Sequence, residues 1–225
     1  SIERAAKQFR CSPEAIWEKE KQILHSFKSR AFQFIQSPPN DNNFIEWLAL
    51  IQHYGGLTRL LDFTESFYIA SYFAMEAGGA NDACVWAIND NLILSKIGQK
   101  VEIKMDKDKY YPAYLEGIRH SAESFIQSPD EKQDLVLRVI PSRLNERLAV
   151  QKGLFLFPCN LEKSFEKNLC STFDFQFDTL DSDNSEKLKT QDIDDDTVRI
   201  MRVMKINLSR EWHCRAIIDL GFVQK

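Results

Sequence analysis

The sequence predicts an α+β fold in which amphipathic helices pack on a mostly antiparallel sheet. Apolar residues recur at helical spacing through the first third of the chain, which is the pattern of helices with one buried face. Later segments concentrate β-branched and aromatic residues in short runs, as strands do. The chain has 225 residues, of which 44% are hydrophobic, and can therefore bury one full core. We expect a single domain over residues 1–225.

Two helices are expected before the glycine pair at 55–56. Ser12 suits the N-cap and Pro13 the first position of a helix, and apolar residues follow at helical spacing. A second helix is expected to end at the glycine pair, because glycine readily adopts the backbone conformation that closes a helix. Gln52 and His53 would then lie in the last turn of this helix.

The rest of the chain is expected to combine helices and strands. A third helix is expected over Glu65–Ala77, with Thr64 as its cap. Extended segments are expected at 57–62, 83–88, 101–105, 135–140, 154–157 and 198–208, and further helices at 114–126 and from Ser209 onwards. Residues 165–177 look irregular. Residues 179–196 are rich in Asp, Ser, Lys and Thr, and we expect them to form an exposed acidic loop.

Composition and charge argue against several classes of protein. Asp and Glu outnumber Lys and Arg by 33 to 29, whereas a dedicated nucleic-acid binder presents a basic surface. The five cysteines are scattered and never spaced as CxxC, which favours reduced thiols over disulfides or a zinc site. No segment approaches the roughly 20 apolar residues of a membrane span. We therefore expect a cytoplasmic protein with no metal, nucleic-acid or membrane partner.

Polar side chains are concentrated in residues 51–64, between strongly apolar helical patterns. A buried donor or acceptor without a partner costs roughly 1–3 kcal/mol, so these groups must either pair with one another or bind a ligand. Arg59 and Asp62 are close enough in sequence to form a charge-assisted pair. A structural clamp and a binding site both fit this pattern.

The same stretch resembles the signature of the FRG domain family. The matching runs are Gln52-His53-Tyr54-Gly55, Thr58-Arg59-Leu60-Leu61-Asp62-Phe63-Thr64, Ala70-Ser71-Tyr72-Phe73-Ala74 and Gln151-Lys152-Gly153-Leu154-Phe155. Phe63 stands where the family more often has Trp. Ser1-Ile2-Glu3-Arg4 is similar to the segment that follows the Phe-Arg-Gly triplet for which the family is named, so we expect that triplet upstream of Ser1.

The order of these motifs is also similar to that in ADP-ribosyltransferases. Those enzymes bind NAD in a cleft of a split, mostly antiparallel sheet, and a carboxylate stabilises the positive charge that develops on the ribose. The resemblance implies a split sheet, a nucleotide or dinucleotide ligand such as NAD, and a protein acceptor. On the strand where those enzymes have an acidic residue, this chain offers Gln151, which can hydrogen-bond a ribose hydroxyl but carries no charge.

Two functions are therefore open. In the first, a nucleotide-binding cleft performs NAD-dependent ADP-ribosyl transfer, with Arg59, His53 and Gln151 as catalytic residues. The cofactor-binding residues in this interpretation are Gln52, Thr58, Asp62, Thr64 and Tyr72. In the second, the chain is a non-catalytic regulatory or interaction module of a defence or toxin-like system, and the same residues only brace the fold.

Overall fold

The structure is a computed structural model that describes residues 12–78, 82–104, 109–128, 133–142, 146–174 and 203–208. The helices in these ranges are α1 (Pro13–Ala31), α2 (Phe44–His53), α3 (Phe67–Gly78), α4 (Asp90–Lys100), α5 (Tyr111–Gln127), α6 (Glu146–Val150) and α7 (Phe165–Phe173). The strands are β1 (Leu61–Thr64), β2 (Ala83–Ile88), β3 (Val136–Val139), β4 (Gly153–Pro158) and β5 (Val203–Leu208). The predicted acidic loop at 179–196 and the predicted helix from Ser209 lie outside the described residues.

The strands form two antiparallel sheets, and with the helices around them they confirm the α+β class. The larger sheet has the order β1-β4-β3, with Leu61 opposite Leu156 and Val136 opposite Pro158. The smaller sheet pairs β2 with β5. Because β1 lies early in the chain and β4 late, the larger sheet joins segments that are far apart in the sequence.

Local capping explains α1 and α2, and both predictions are confirmed. Ser12 precedes α1, and its Oγ accepts the Ala15 N–H at 3.4 Å. α2 ends at His53, and Gly55 follows with a φ of 81°, the left-handed conformation that glycine adopts at low cost. This ending fixes Gln52 and His53 on the last turn of α2.

The predictions for residues 101–104 and 165–173 are wrong: no strand forms at 101–104, which follow a capped helix, and a capped helix occupies 165–173. The helix α4 ends just before 101–104, where a strand was expected, and α7 occupies 165–173, which looked irregular. The Asn89 side chain accepts a backbone N–H in the first turn of α4, and Ser164 does the same for α7. These two N-caps set where the helices begin.

The start of α3 also differs from the prediction. α3 begins at Phe67, later than expected, and the Ser66 hydroxyl accepts the Ile69 N–H at 3.4 Å. Thr64 therefore does not cap this helix. Its hydroxyl accepts the Ser66 N–H at 3.0 Å and donates to the backbone oxygen of Gln151 at 2.7 Å. Since Thr64 ends β1, this second bond ties β1 to the turn before β4.

The main core lies between the larger sheet and helices α4, α5 and α7. Gly98 lets α4 and α5 approach closely, because a Cβ at this position would lie 1.7 Å from the Tyr114 Oη. The Tyr114 hydroxyl donates to the Leu94 carbonyl at 2.7 Å. The phenol is therefore buried with its polar atom satisfied, as buried tyrosines require.

α7 covers the outer edge of β3 through two side chains. Asn168 Oδ1 accepts the Leu135 N–H at 3.2 Å, and Thr172 Oγ1 accepts the Val136 N–H at 2.8 Å. Both side chains are fully buried. Unpaired strand edges promote association with other chains, so α7 protects this edge of the larger sheet.

Candidate functional site

A cleft of about 590 Å³ lies beside β1. Its walls come from the last turn of α2, from β1, α3 and β2, and from the turn that precedes β4. The predicted site residues that line it are Gln52, His53, Asp62, Thr64 and Gln151. Its largest apolar lining residues are Phe63, Phe73, Trp86 and Phe155. The volume falls within the range of about 300–1,000 Å³ that small-molecule sites occupy.

Gln52 fixes the position of Asp62 at the cleft. The Gln52 Nε2 donates to Asp62 Oδ2 at 2.7 Å, and the Gln52 Oε1 accepts from the Thr58 hydroxyl. Thr58 is only 1% exposed and also accepts the Leu60 N–H at 3.2 Å. The Thr58 hydroxyl thus sets which end of the Gln52 amide faces Asp62. Asp62 itself is exposed on β1, so its carboxylate is oriented but accessible.

Gln151 lines the cleft from the turn between α6 and β4. Its backbone oxygen is held by the Thr64 hydroxyl at the end of β1. Gly153 packs closely against α6, because a Cβ at this position would lie 2.3 Å from Leu148 Cδ1. The cleft thus brings Gln151 together with Gln52 and Asp62.

Aromatic side chains form part of the cleft wall. Phe73 on α3 and Trp86 on β2 are 36% and 38% exposed. Tyr72 was a predicted cofactor-binding residue, but it is not among the residues that line the cleft, and its ring contacts Phe73 with centroids 5.7 Å apart. On a helix, Ile69 and Phe73 share one face, whereas Tyr72 is turned about 100° away. This spacing could have identified Phe73. Alternation could not have identified Trp86, because Cys84, Val85 and Trp86 all line the cleft.

His53 occupies the rim of the cleft. It is exposed at the C-terminal end of α2. Its ring contacts that of Tyr54, with centroids 5.4 Å apart in an edge-on arrangement. An imidazole at this position can donate or accept a hydrogen bond at the cleft entrance.

Arg59 lies behind the cleft and is only 1% exposed. Its Nε donates to both oxygens of Glu20 at 2.9 Å, and its Nη2 forms an ion pair with the same carboxylate. Its Nη1 donates to the carbonyls of Pro158 and Cys159 at 3.3 Å, and the guanidinium lies 4.7 Å from the centre of the Phe157 ring. The partner of this arginine is therefore Glu20 on α1, while Asp62 pairs with Gln52.

The residue beside Arg59, Cys159, also has a structural role and not a chemical one. Burial raises the pKa of the Cys159 thiol, although the Arg59 guanidinium beside it lowers that pKa. Cys159 is 7% exposed, and a thiol with a raised pKa stays protonated and weakly nucleophilic. Arg59 and Cys159 thus fix β4 against α1.

The cleft combines hydrogen-bonding groups with flat apolar surfaces. The Asp62 carboxylate accepts, and the Gln151 amide can donate or accept. The Thr64 hydroxyl already donates to the Gln151 backbone oxygen, so it can offer a ligand only an acceptor lone pair. Such a set suits the hydroxyls of a sugar, and the rings of Phe73 and Trp86 suit a planar heterocycle.

The described ranges contain no group of three or more His, Cys, Asp and Glu side chains placed to hold a metal ion. In the same ranges, no helix has the length and apolar character needed to cross a membrane.

Comparison with known families and structures gives one match. Residues 1–83 match the family model described as the FRG domain, which confirms the resemblance in the segment that contains the polar stretch at 51–64. No curated protein and no solved structure matches the chain.

Proposed function

We propose that this chain, whose residues 1–83 match the FRG domain model, binds the ribose and base of a nucleotide in its cleft and transfers ADP-ribose from NAD. The observation that carries the proposal is the convergence of Asp62, Gln151 and Thr64 on one cleft of about 590 Å³. Asp62 and Thr64 lie two residues apart on β1, whereas Gln151 comes from a distant part of the sequence. A cleft that gathers polar groups around an apolar wall is the usual form of a small-molecule site.

The ribose is the part of the ligand that the polar groups fit best. Asp62 can accept from two sugar hydroxyls, and Gln151 can bind a third group. Stacking on Phe73 or Trp86 would hold the base or the nicotinamide ring. The apolar wall and the polar groups thus correspond to the two halves of a nucleoside.

The phosphates receive less support from this cleft. The Arg59 guanidinium does not line the cleft and is saturated by Glu20 and by backbone carbonyls. Among the described lining residues His53 is the basic group, and it lies at the rim. We therefore expect most of the affinity to come from the nucleoside, so that nicotinamide riboside binds nearly as well as NAD.

Asp62 supplies the carboxylate that the reaction requires. In ADP-ribosyl transfer, NAD provides the ribose on which positive charge develops as nicotinamide leaves. A fixed carboxylate beside that carbon lowers the barrier electrostatically. Gln52 donates a 2.7 Å hydrogen bond to Asp62, so the carboxylate needs little reorganisation during the reaction. In this assignment Gln151 orients the ribose and Asp62 stabilises the charge.

The test compares ligand binding with turnover. Calorimetry with NAD and with nicotinamide riboside measures binding, and nicotinamide release with transfer to a protein acceptor measures the reaction. We expect Asp62→Asn, which keeps an oxygen for Gln52, to retain binding but to lower turnover by at least about 100-fold. Glu18→Gln, at an exposed carboxylate on α1, is the control. Absence of heat and of thermal shift with millimolar NAD and nicotinamide riboside would refute the proposal.

A second candidate is a non-catalytic regulatory or interaction module, and the environment of Arg59 favours it. Arg59, the arginine of the family motif, is buried, stabilises the fold and does not face the cleft. If the chain is a non-catalytic module and the cleft binds no ligand, Asp62→Asn and Gln151→Ala should leave the biological activity of the protein unchanged. If it is a site, both variants should abolish that activity while the unfolding temperature stays near that of the wild type.

A further inference from the structure

A second concave surface lies on α1 and the end of α2, and we call it the aromatic groove. Its apolar lining is Ile23, Phe27, Phe34, Ile51 and Tyr54, and its volume is about 500 Å³. Lys19 and Arg30 also line it. None of its lining residues lines the cleft, so the groove needs a separate explanation.

Three aromatic rings in the groove are packed against one another and remain accessible. The ring centroids of Phe27 and Phe34 lie 5.7 Å apart, those of Phe27 and Tyr54 5.9 Å, and those of Phe34 and Tyr54 5.2 Å. Phe34 is 48% exposed and Tyr54 is 54% exposed. Clustered exposed aromatic surface is characteristic of protein interaction sites. Because the rings already support one another, a partner would not have to order them.

The charges of the groove select the kind of partner. Lys19 and Arg30 are eleven positions apart on α1, so they share one face of the helix about 16 Å apart along its axis. The Lys19 Nζ donates to the neutral Gln22 amide at 3.2 Å. Among the described residues, no acidic side chain lines the groove. An apolar surface that carries two cations about 16 Å apart is complementary to an apolar segment that carries two anions at the same spacing.

We propose that the aromatic groove docks an amphipathic helix of a partner protein, with its apolar face on Phe27, Phe34 and Tyr54. Acidic residues near the two ends of that helix pair with Lys19 and Arg30. A helix is the fitting shape, because a groove beside a helix accepts apolar side chains at i, i+3, i+4 and i+7. A spacing of about 16 Å corresponds to about three helical turns of the partner.

The test uses two designed peptides with the full chain. Both are 15-residue helices with the same leucine and phenylalanine face, one flanked by glutamates and the other by lysines. Fluorescence anisotropy at low salt should show at least tenfold tighter binding of the glutamate peptide, and added salt should reduce this difference. The variant Lys19→Glu/Arg30→Glu should reverse the preference. The variant Phe34→Ala/Tyr54→Ala should weaken both peptides, with thermal unfolding as the folding control.

A control variant and an alternative probe complete the experiment. Asp62→Asn changes the cleft and should leave peptide binding unaltered, which separates this proposal from the nucleotide proposal. A 15-residue thymidine oligonucleotide tests whether the cations and rings instead bind single-stranded nucleic acid. Equal affinity for the two peptides, tighter binding of the oligonucleotide than of the glutamate peptide, or no peptide binding at 1 mM would overturn the proposal.

Discussion

Arg59 and Glu20 form an ion pair in which each of the three guanidinium nitrogens has a partner. The two side chains are 1% and 3% exposed. Replacing a whole buried ion pair with apolar residues is often harmless, whereas removing one partner leaves a buried charge without compensation. The pair therefore fixes α1 against β4 in one geometry, whatever its net contribution to stability.

Arg59→Ala should lower the free energy of unfolding by about 3–5 kcal/mol, because Glu20 would remain buried without its partner. Urea unfolding followed by circular dichroism measures this loss. Arg30→Ala, at an exposed arginine on the same helix as Glu20, should change stability by no more than about 0.5 kcal/mol. If Arg59→Ala unfolds like the wild type but no longer binds NAD, then Arg59 is a ligand-binding residue after all.

At the scale of elements, the contact between α4 and α5 depends on one glycine. Gly98 faces the buried Tyr114 side chain, whose hydroxyl is already committed to the Leu94 carbonyl. Gly117 on α5 has more room, since a Cβ there would meet Ile103 Cδ1 at 3.3 Å. Both glycines lie inside helices, where alanine is intrinsically preferred by about 1 kcal/mol. Alanine substitutions at these two glycines therefore differ mainly in the space available for the added Cβ.

Gly98→Ala should destabilise the protein by about 1–3 kcal/mol, because overpacking must displace Tyr114 or separate the two helices. Gly117→Ala should be neutral or should stabilise by up to about 1 kcal/mol, since only the end of Ile103 has to move. Thermal and urea unfolding of the two variants measure the difference. Equal effects of the two substitutions would show that helix propensity outweighs packing here.

The end of α7 is linked to α4 by an exposed charge cluster. Asp174, with a φ of 56°, forms the C-cap of α7 and accepts from Lys96 and Lys100 at 2.9 and 2.8 Å. Hydrogen bonds from Lys100 and Lys96 lower the pKa of Asp174 to about 2. Because this pKa lies below the unfolded value of about 3.9, the ionised carboxylate stabilises the fold at higher pH.

This stabilisation should be lost as the pH falls from about 4 towards 2. Wild-type unfolding should therefore show a steeper loss of stability over this interval than Asp174→Asn, which has no charge to lose. The difference should be small and should shrink in high salt, since the carboxylate is exposed and screened. Parallel curves for the two proteins would show that the two lysines do not hold Asp174 in solution.

The sequence predicts elements whose signals are local and misses those that depend on distant partners. Ser12 and Pro13 followed by apolar periodicity were enough to predict α1. The apolar residues of α4 and α7 are mixed with polar ones, so the sequence pattern does not reveal that Asn89 and Ser164 are N-caps. The polar stretch at 51–64 was a sound indicator of the site's location. Nothing local showed that Arg59 would meet Glu20, because many charged residues on α1 were equally available.

At the scale of the whole molecule, the family match and the folding unit do not coincide. The match covers residues 1–83, but β1 within it is hydrogen-bonded to β4, at Gly153–Pro158. Arg59 likewise needs the carbonyls at 158 and 159. The matched segment therefore lacks the strand partner that completes its sheet.

A fragment of residues 1–83 should not fold cooperatively, because β1 has no strand to pair with and the apolar face of α2 loses much of its cover. Circular dichroism should show partial helix at most, and amide resonances should have little dispersion. The full chain, measured alongside, should show a single cooperative transition. A sharp melting transition in the fragment would mean that the N-terminal segment is an independent domain.

The ion pair of Arg59 also has a consequence for biosynthesis. Once α1 and the arginine have left the ribosome, two charges are ready to meet, but the carbonyl of Pro158 emerges 99 residues later. At the usual pace of translation this delay lasts about 5–20 s. During that interval Arg59 lacks its partners on β4, so this part of the nascent chain must stay exposed to water or bound to a chaperone. A pause in translation before β4 should therefore expose this protein to proteases more than a pause after it.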